Sequence, residues 1–478
     1  MARVWKLAEV SKHNSEGSCW MVLHGNVYDI TTFIPRHPGG RSILLKNAGQ
    51  DASAAFDSVH PVEILEEHLT PGQFLGTIDP GDYIEGGKKR KSEHGVHSEP
   101  DVHSLSALPP LESVLSISEM ESYAMQRLSP KAISYYVSAS DDEITKVANG
   151  QIYRSILLRP RVFVDCTECS LATSILGNKV GLPIYISPAA MARLAHPTGE
   201  AGIAAACSKF NVLQIISKNA SMSPPAIVSA GPEAVFAWQL YVLKDIAATE
   251  RTLAQIRKIP QIKFIVLTLD APFPGKREAD ERYKMAEVAG GASPMVWGTE
   301  SGLTWRKTLE WLCKHTSLPI VLKGIQTHED AYAATLFPAV KGIILSNHGG
   351  RALDTAPTPI QVLLEIRKFC PQVLDSLDVL VDGGIKRGTN VVKALALGAK
   401  GVGIGRAALY GLSVGGEKGV ERVLKILADE TVTAMRLLGV KKVSELGPRH
   451  VNTSALASRL FDGPSGLEQV ERELRSKL

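Results

Sequence analysis

The chain has 478 residues, 44% of them hydrophobic and 21% charged, with a formal net charge of +4. That length predicts two or three globular domains, and the small charge gives no pointer to a nucleic-acid partner. No apolar run reaches the roughly 18 residues of a membrane span, and Met1–Leu7 lacks the apolar core of a secretory signal. Six scattered cysteines (Cys19, Cys166, Cys169, Cys207, Cys313, Cys370) do not resemble a disulfide framework and predict a reduced, intracellular chain. Cys166 and Cys169 form a C-x-x-C with no second pair, which reads as incidental rather than as a metal or redox site.

Residues 1–78 predict a small domain of short, aromatic-punctuated elements with turns at Gly25-Asn26 and His37-Pro38-Gly39-Gly40. His37 and, further on, His60 within Phe56-Asp57-Ser58-Val59-His60-Pro61 place two imidazoles on separate loops. Such a pair can ligate a haem iron from both faces, which leaves no open position for oxygen and suits electron transfer. Phe33, Ile43, Leu44, Phe56, Leu65 and Phe74 are the expected apolar walls, with His13, His24 and His68 surface or structural. Cys19-Trp20-Met21-Val22, Val27-Tyr28-Asp29-Ile30, the His-Pro-Gly-Gly turn and Gly72-Gln73-Phe74-Leu75-Gly76 resemble the cytochrome b5 family over residues 3–78. The resemblance implies a small α+β domain holding haem b through His37 and His60.

Residues 79–115 read as a linker, with Gly81, Gly86-Gly87 and the basic run Lys88-Lys89-Arg90-Lys91. A solvated hinge is the expectation for that run, a nuclear-import patch the alternative. From 116 to 450 short β-rich runs alternate with amphipathic helical stretches. The strand candidates are Ile184–Pro188, Val212–Ser217, Val235–Tyr241, Phe264–Asp270, Ile320–Lys323, Gly342–Asn347, Val379–Asp382 and Val402–Gly405. Helical patterns such as Gly199–Phe210, Ile246–Lys258, Trp305–His315, Glu329–Leu336, Thr358–Phe369 and Thr389–Leu397 separate most of them. The Pro-rich stretch Ser221–Pro232 is the weakest helix. Eight buried strands with intervening helices predict an α/β TIM (β/α)8 barrel, with an open doubly wound sheet as the alternative.

A barrel places chemistry at the C-terminal ends of its strands and phosphate after strands seven and eight. Ser217, Gln239, Tyr241, Thr268, Asp270, Lys323, His348 and Arg351 fall there, as do Asp382-Gly383-Gly384 and Gly403-Ile404-Gly405-Arg406. The segment Leu345-Ser346-Asn347-His348-Gly349-Gly350-Arg351 sets a base three positions from a guanidinium. Arg351 can hold a small carboxylate as a fork while His348 takes a proton from the neighbouring carbon. Glycine-rich strand ends let backbone N–H groups approach a phosphate, and Arg406 adds charge.

The Ser-Asn-His-Gly-Gly-Arg motif resembles the FMN-dependent α-hydroxy acid dehydrogenase/oxidase family over about 116–450. Fused behind a haem module, it resembles the flavocytochrome b2 branch, L-lactate dehydrogenase (cytochrome). The resemblance implies FMN and haem b as cofactors and an (S)-2-hydroxy acid as substrate. It makes His348 the base, taking either the C2 proton or the hydroxyl proton, and Asp270 its partner, raising the imidazole pKa. Arg351, Tyr135, Tyr241 and the mobile Arg277 would hold the substrate. Lys323 would face the flavin N1/O2 edge, Ser217, Gln239 and Thr268 the ring, and Pro188, Ala189 and Ala190 its N5 side. Asp382, Gly383, Gly384, Lys386, Gly405 and Arg406 would hold ribityl and phosphate.

Four positions depart from the family. Lys386 replaces an arginine of Asp-Gly-Gly-x-Arg-Arg, which predicts altered phosphate binding. Asn219 stands where a Leu or Trp is usual, pointing past lactate to a polar or larger acid. Tyr-Tyr-x-Ser-Gly reads Tyr135-Tyr136-Val137-Ser138-Ala139, and the segment from Arg277 to Trp305 is short. The resemblance also implies a homotetramer and a cytochrome c-like one-electron acceptor, with O2 and peroxide formation as the alternative. Residues 451–478 read as a tail whose last tripeptide, Ser476-Lys477-Leu478, is a peroxisomal import address. The mitochondrial intermembrane space and the cytoplasm are the other locations compatible with the resemblance.

Overall fold

The computed structural model describes residues 3–37, 40–82, 109–287 and 298–475. The run Lys88–Lys91, the turn residues Pro38 and Gly39, and Ser476-Lys477-Leu478 lie outside them. The chain forms two compact units whose main boundary falls between Pro110 and Leu111. Among the described residues no helix is long and apolar enough to cross a membrane.

In the first unit a five-stranded sheet runs in the order Val4–Trp5, Phe74–Ile78, Asn26–Asp29, Ser18–Leu23, Asn14–Ser15. Only the Val4–Trp5 and Phe74–Ile78 pair is parallel. Alternation along Ser18–Leu23 buries Cys19, Met21 and Leu23 on one face. Against that face pack Phe33, Leu44, Phe56 and Leu65, carried on short helical turns. Ile43 and Phe74 lie outside this cluster; Phe74 is exposed and pairs with Tyr28 across the strands, ring centroids 5.8 Å apart.

The second unit is a closed eight-stranded parallel barrel. Its strands are β1 (Ile184–Ile186), β2 (Leu213–Ile216), β3 (Val235–Leu240), β4 (Ile262–Thr268), β5 (Ile320–Ile325), β6 (Val340–Leu345), β7 (Asp378–Asp382) and β8 (Gly401–Ile404). Each pairs with the next, and β8 pairs with β1, which excludes the open sheet. The Pro-rich stretch after β2 does form a helix, Pro224–Ala230, with its prolines in the first turn where a missing N–H is harmless.

Period-two alternation builds the interior. Tyr185, Leu213, Ile215, Ala237, Phe264, Val266, Val321, Ile344 and Leu380 fill it, and the hairpin Thr173–Ile175/Asn178–Val180 adds Ile175 and Val180 to the same cluster. Two residues further along seven of the eight strands the inward position turns polar: Ser187, Ser217, Gln239, Thr268, Lys323, Ser346 and Asp382. All seven are at most 7% exposed. The fold thus converts a hydrophobic plug into a ring of functional groups within one side-chain layer.

Two boundaries move. Leu111–Ser113 forms a helical turn, Val114 is buried, and Arg422 donates to the carbonyls of Glu112 and Val114. The barrel unit thus begins ahead of residue 116, because an arginine on its long C-terminal helix captures the incoming backbone. The expected free tail from 451 is also folded as far as Arg475. Val451–Asn452 pairs with Leu157–Leu158, and His328 is stacked on Phe369 with its Nε2 against the Ser465 carbonyl (2.9 Å).

Gly324 sits at a bulge where β5 meets β6, with φ 98°, and a Cβ there would lie 2.6 Å from Asp270 Cβ. Gly324→Ala is expected to destabilise the barrel unit by roughly 2–4 kcal/mol, combining strain and overpacking. Urea unfolding followed by tryptophan fluorescence measures it.

Candidate functional site

The loop after β6 carries three consecutive residues in the left-handed region: His348 (φ 59°), Gly349 (φ 67°) and Gly350 (φ 79°). A histidine pays strain there, so the surroundings must hold it. Asn347 does so by exchanging two amide hydrogen bonds with Asn149, both 2.8 Å. Asn149 lies on the helix Ile144–Gln151, whose first N–H groups are capped by Asp354 from the far end of the same loop. A Cβ on Gly350 would stand 2.6 Å from Lys146 N, and one on Gly384 2.2 Å from Asn149 O. One helix therefore sets both the β6 loop and the β7 loop.

His348 Nδ1 lies 2.9 Å from Asp270 Oδ1. Burial alone would raise the Asp270 pKa, but Lys323, His348 and the His348 hydrogen bond outweigh it and hold the carboxyl below its usual range. The carboxylate form is present above the unfolded value near 4 and is lost only as pH falls through the lower folded value. With Nδ1 engaged, Nε2 is the ring atom left to meet a substrate. Lys323, 4% exposed, donates to Ser346 Oγ (3.0 Å) and lies 3.9 Å from Asp270 Oδ2 and 4.0 Å from Asp382 Oδ2.

Arg351 gives its Nη1 hydrogens to the carbonyls of Tyr135 (2.7 Å), Tyr136 (3.2 Å) and Ser138 (3.2 Å). Among the described residues it pairs with no carboxylate. Burial, then repulsion from Arg277, pushes its pKa down to about 9. A buried guanidinium with Nε and Nη2 uncommitted favours a bound anion. Arg277 is not a surface group: its side chain is 11% exposed, it pairs with Asp280 at 3.1 Å, and its buried Nη1 has no hydrogen-bond partner among the described residues. The guanidinium carbons of Arg277 and Arg351 stand 5.4 and 5.3 Å from the Tyr135 ring centroid. Burial, then Asp270 and Tyr135, drives the Tyr241 pKa far up, so its hydroxyl remains a proton donor among these groups.

Beside them runs a polar chain across three strands. Ser217 Oγ reaches Gln239 Oε1 (3.4 Å), and Gln239 Nε2 reaches Thr268 Oγ1 (3.1 Å). Gly383 and Gly384 have φ 92° and 76°, and the helix starting at Arg406 has no side-chain cap on its first N–H groups. Pro188, Ala189, Ala190 and Asn219 stand on the open side, partly or fully exposed. These groups fit FMN: amide and hydroxyl partners for a ring, a cation at one edge, and free N–H groups for a phosphate.

Two charged residues expected at the phosphate have protein partners of their own. Lys386 is exposed and pairs with Glu121, whose carboxylate also takes the Tyr410 hydroxyl at 3.2 Å. Arg406 is a strut as well as a charge: Nε, Nη1 and Nη2 donate to the carbonyls of Tyr136, Gly349 and Ser138 at 2.9, 3.1 and 3.2 Å. Ser187, Ser346 and Asn149 were missed. The first two are legible by counting two positions beyond the buried interior residues, whereas Asn149 carries no local signal.

In the first unit the His37 and His60 ring centroids are 6.1 Å apart. That is close to the roughly 6 Å spanned by two ring radii and two metal–nitrogen bonds of about 2 Å. His37 Nδ1 bonds the Gly40 carbonyl (3.1 Å), which leaves Nε2 as ligand, and burial lowers its pKa against the opposing pull of that bond. Phe33 and Phe56 stand beside the two rings. The pair fits an iron held from both faces.

A carboxylate-seeking arginine and an aspartate-bound histidine beside a flavin-shaped rim define a flavin-dependent oxidoreductase carrying its own haem module. The FMN-dependent dehydrogenase profile matches residues 124–453, and the cytochrome b5-like haem/steroid binding domain profile residues 6–79. The chain is 37% identical to the L-lactate dehydrogenase (cytochrome) of Saccharomyces cerevisiae, covering 96% of this chain and 81% of that protein. It is 36% identical to the glycolate oxidase of Spinacia oleracea over 74% of this chain and 98% of that one. A solved flavocytochrome b2 double mutant with pyruvate bound superposes with TM-score 0.69 at 39% identity, covering 76% and 92% of the two chains. The chain belongs to the FMN-dependent dehydrogenase family, in its haem-fused form, with FMN and haem b as cofactors.

Arg351→Lys is expected to lower kcat/KM roughly 100-fold or more, since an ammonium cannot serve three carbonyls and a carboxylate fork together. Steady-state kinetics on a 2-hydroxy acid measures it. His37→Ala should abolish the haem Soret band while the flavin absorbance stays, read on the purified chain.

Proposed function

We propose that the enzyme oxidises an (S)-2-hydroxy acid to the 2-oxo acid, with Arg351 and Arg277 holding the carboxylate and His348 Nε2 receiving the proton. Bound FMN would supply the two-electron acceptor, and haem b, held by His37 and His60, would supply one-electron transfer toward a cytochrome-like protein. The observation that carries this reading is the Asp270–His348 contact at 2.9 Å beside an arginine with no carboxylate of its own. Whether the C2 proton or the hydroxyl proton moves, it arrives at Nε2, and Asp270 stabilises the charge that forms on the ring. The Tyr241 hydroxyl, kept protonated, donates to the substrate oxygen. Lys323 supplies positive charge where the reduced ring accumulates negative charge.

The exposed Asn219 amide at the end of β2 supports an acid more polar or larger than lactate. Ser476-Lys477-Leu478, as a terminal tripeptide, supports a peroxisomal location. A fluorescent fusion with and without it tests that address.

His348→Gln should retain both cofactors and lose kcat by about 10²–10⁴-fold. In the wild type, anaerobic mixing with 2-hydroxy acids should bleach the flavin and then reduce the haem. Flavin bleaching with stoichiometric peroxide in air and an unreduced haem would overturn the cytochrome-like acceptor.

A further inference from the structure

Glu200 is a carboxylate only 2% exposed, with no part in the chemistry above. It lies in the first turn of the helix Gly199–Phe210, between β1 and β2. Its Oε1 accepts from the backbone N–H groups of Ala192 (3.0 Å) and Ser221 (2.9 Å), and its Oε2 accepts from Ser221 Oγ (2.7 Å). Ser221 Oγ in turn accepts from Arg193 N (3.0 Å). The Glu200 backbone carbonyl takes Gln214 Nε2 from β2 at 3.3 Å.

One side chain thus joins the loop carrying Pro188, Ala189 and Ala190 to the loop carrying Ser217 and Asn219. The same two loops meet again where Met191 N donates to the Asn219 carbonyl (3.0 Å), and the Tyr136 hydroxyl bonds the Met191 carbonyl (2.5 Å). Met191 sits at φ 55°, a conformation that needs such restraint in a non-glycine residue. A buried carboxylate is costly unless its oxygens are fully hydrogen-bonded, and the N-terminal turn of a helix lowers that cost. An apolar side chain could fill the space, but only an acceptor oxygen can take donors from both loops at once, as Oε1 does.

We propose that Glu200 is a positioning residue for the flavin, fixing the separation between the Ala190 edge and the Ser217 edge of its binding rim. The inference rests on FMN binding at that rim. It assigns Glu200 no contact with the ring; its effect passes through Ala192 and Ser221.

The test uses the full-length chain with both cofactors. Glu200→Ala removes every acceptor, while Glu200→Gln keeps Oε1 for the two backbone N–H groups and is the conservative rescue. Glu200→Ala is expected to bind FMN roughly 10–100-fold more weakly and, at saturating FMN, to bind sulfite at the flavin about tenfold more weakly. Glu200→Gln should stay within about threefold of wild type on both measures. Haem absorbance of the separate N-terminal unit and far-ultraviolet circular dichroism report whether the chain is intact. If Glu200→Ala does not fold, Ser221→Ala, which removes one partner, should shift both readouts the same way by a smaller factor. Folded Glu200→Ala or Ser221→Ala with wild-type FMN and sulfite affinities overturns the proposal. So does Glu200→Gln as damaged as Glu200→Ala, which would make charge rather than loop spacing decisive. A wild-type chain that binds no FMN overturns the underlying reading instead.

Discussion

The buried ammonium of Lys323 between the carboxylates of Asp270 and Asp382 is the interaction on which the barrel's chemistry depends. A charge taken out of water must be compensated within a few ångströms, and each compensating group becomes fixed in its turn. Asp270, held in its charged form, orients His348; Asp382 receives Ser187 from β1. Three strands and two loops are thereby locked to one cation. Removing Lys323 would leave both carboxylates buried without their shared cation.

Against that compensated layer, Arg351 stands out because among the described residues it meets carbonyl dipoles and pairs with no carboxylate. Its pKa falls to about 9 under burial and the neighbouring Arg277. An incoming carboxylate would reverse both effects, so binding energy and correct orientation come from the same contact. The haem unit follows a different logic. His37 and His60, with ring centroids 6.1 Å apart, would hold the haem iron between them, and the Gly40 carbonyl fixes the tautomer of His37. Proton chemistry in one unit and electron chemistry in the other need no shared residue.

Much of this was legible before coordinates, for reasons that can be named. The eight strands were found because buried parallel strands read as short apolar runs, and their ends were found because polar residues interrupt those runs at Ser217, Thr268, Lys323 and Asp382. The His37 and His60 pair was legible because its motif is local. Sequence gives the charge of Lys386 but not its partner Glu121, 265 positions earlier in the chain. Arg277 is buried and pairs with Asp280 three positions on, a burial that its charged neighbours in the sequence do not announce. Phe74 is apolar by type, yet its strand position leaves it exposed beside Tyr28.

By itself the sequence determined which groups exist and which strand end each occupies, because side-chain period and local motif are properties of neighbouring residues. It could not show that Asn149 clamps two loops some 200 positions ahead of it, or that Glu200 joins two others. Nor could it show that the segment beyond residue 451 folds back onto the barrel. Those outcomes belong to the closed sheet. Only when β8 pairs with β1 do residues remote in the chain come within hydrogen-bonding distance, and a directional bond of about 3 Å has no signature in composition or spacing.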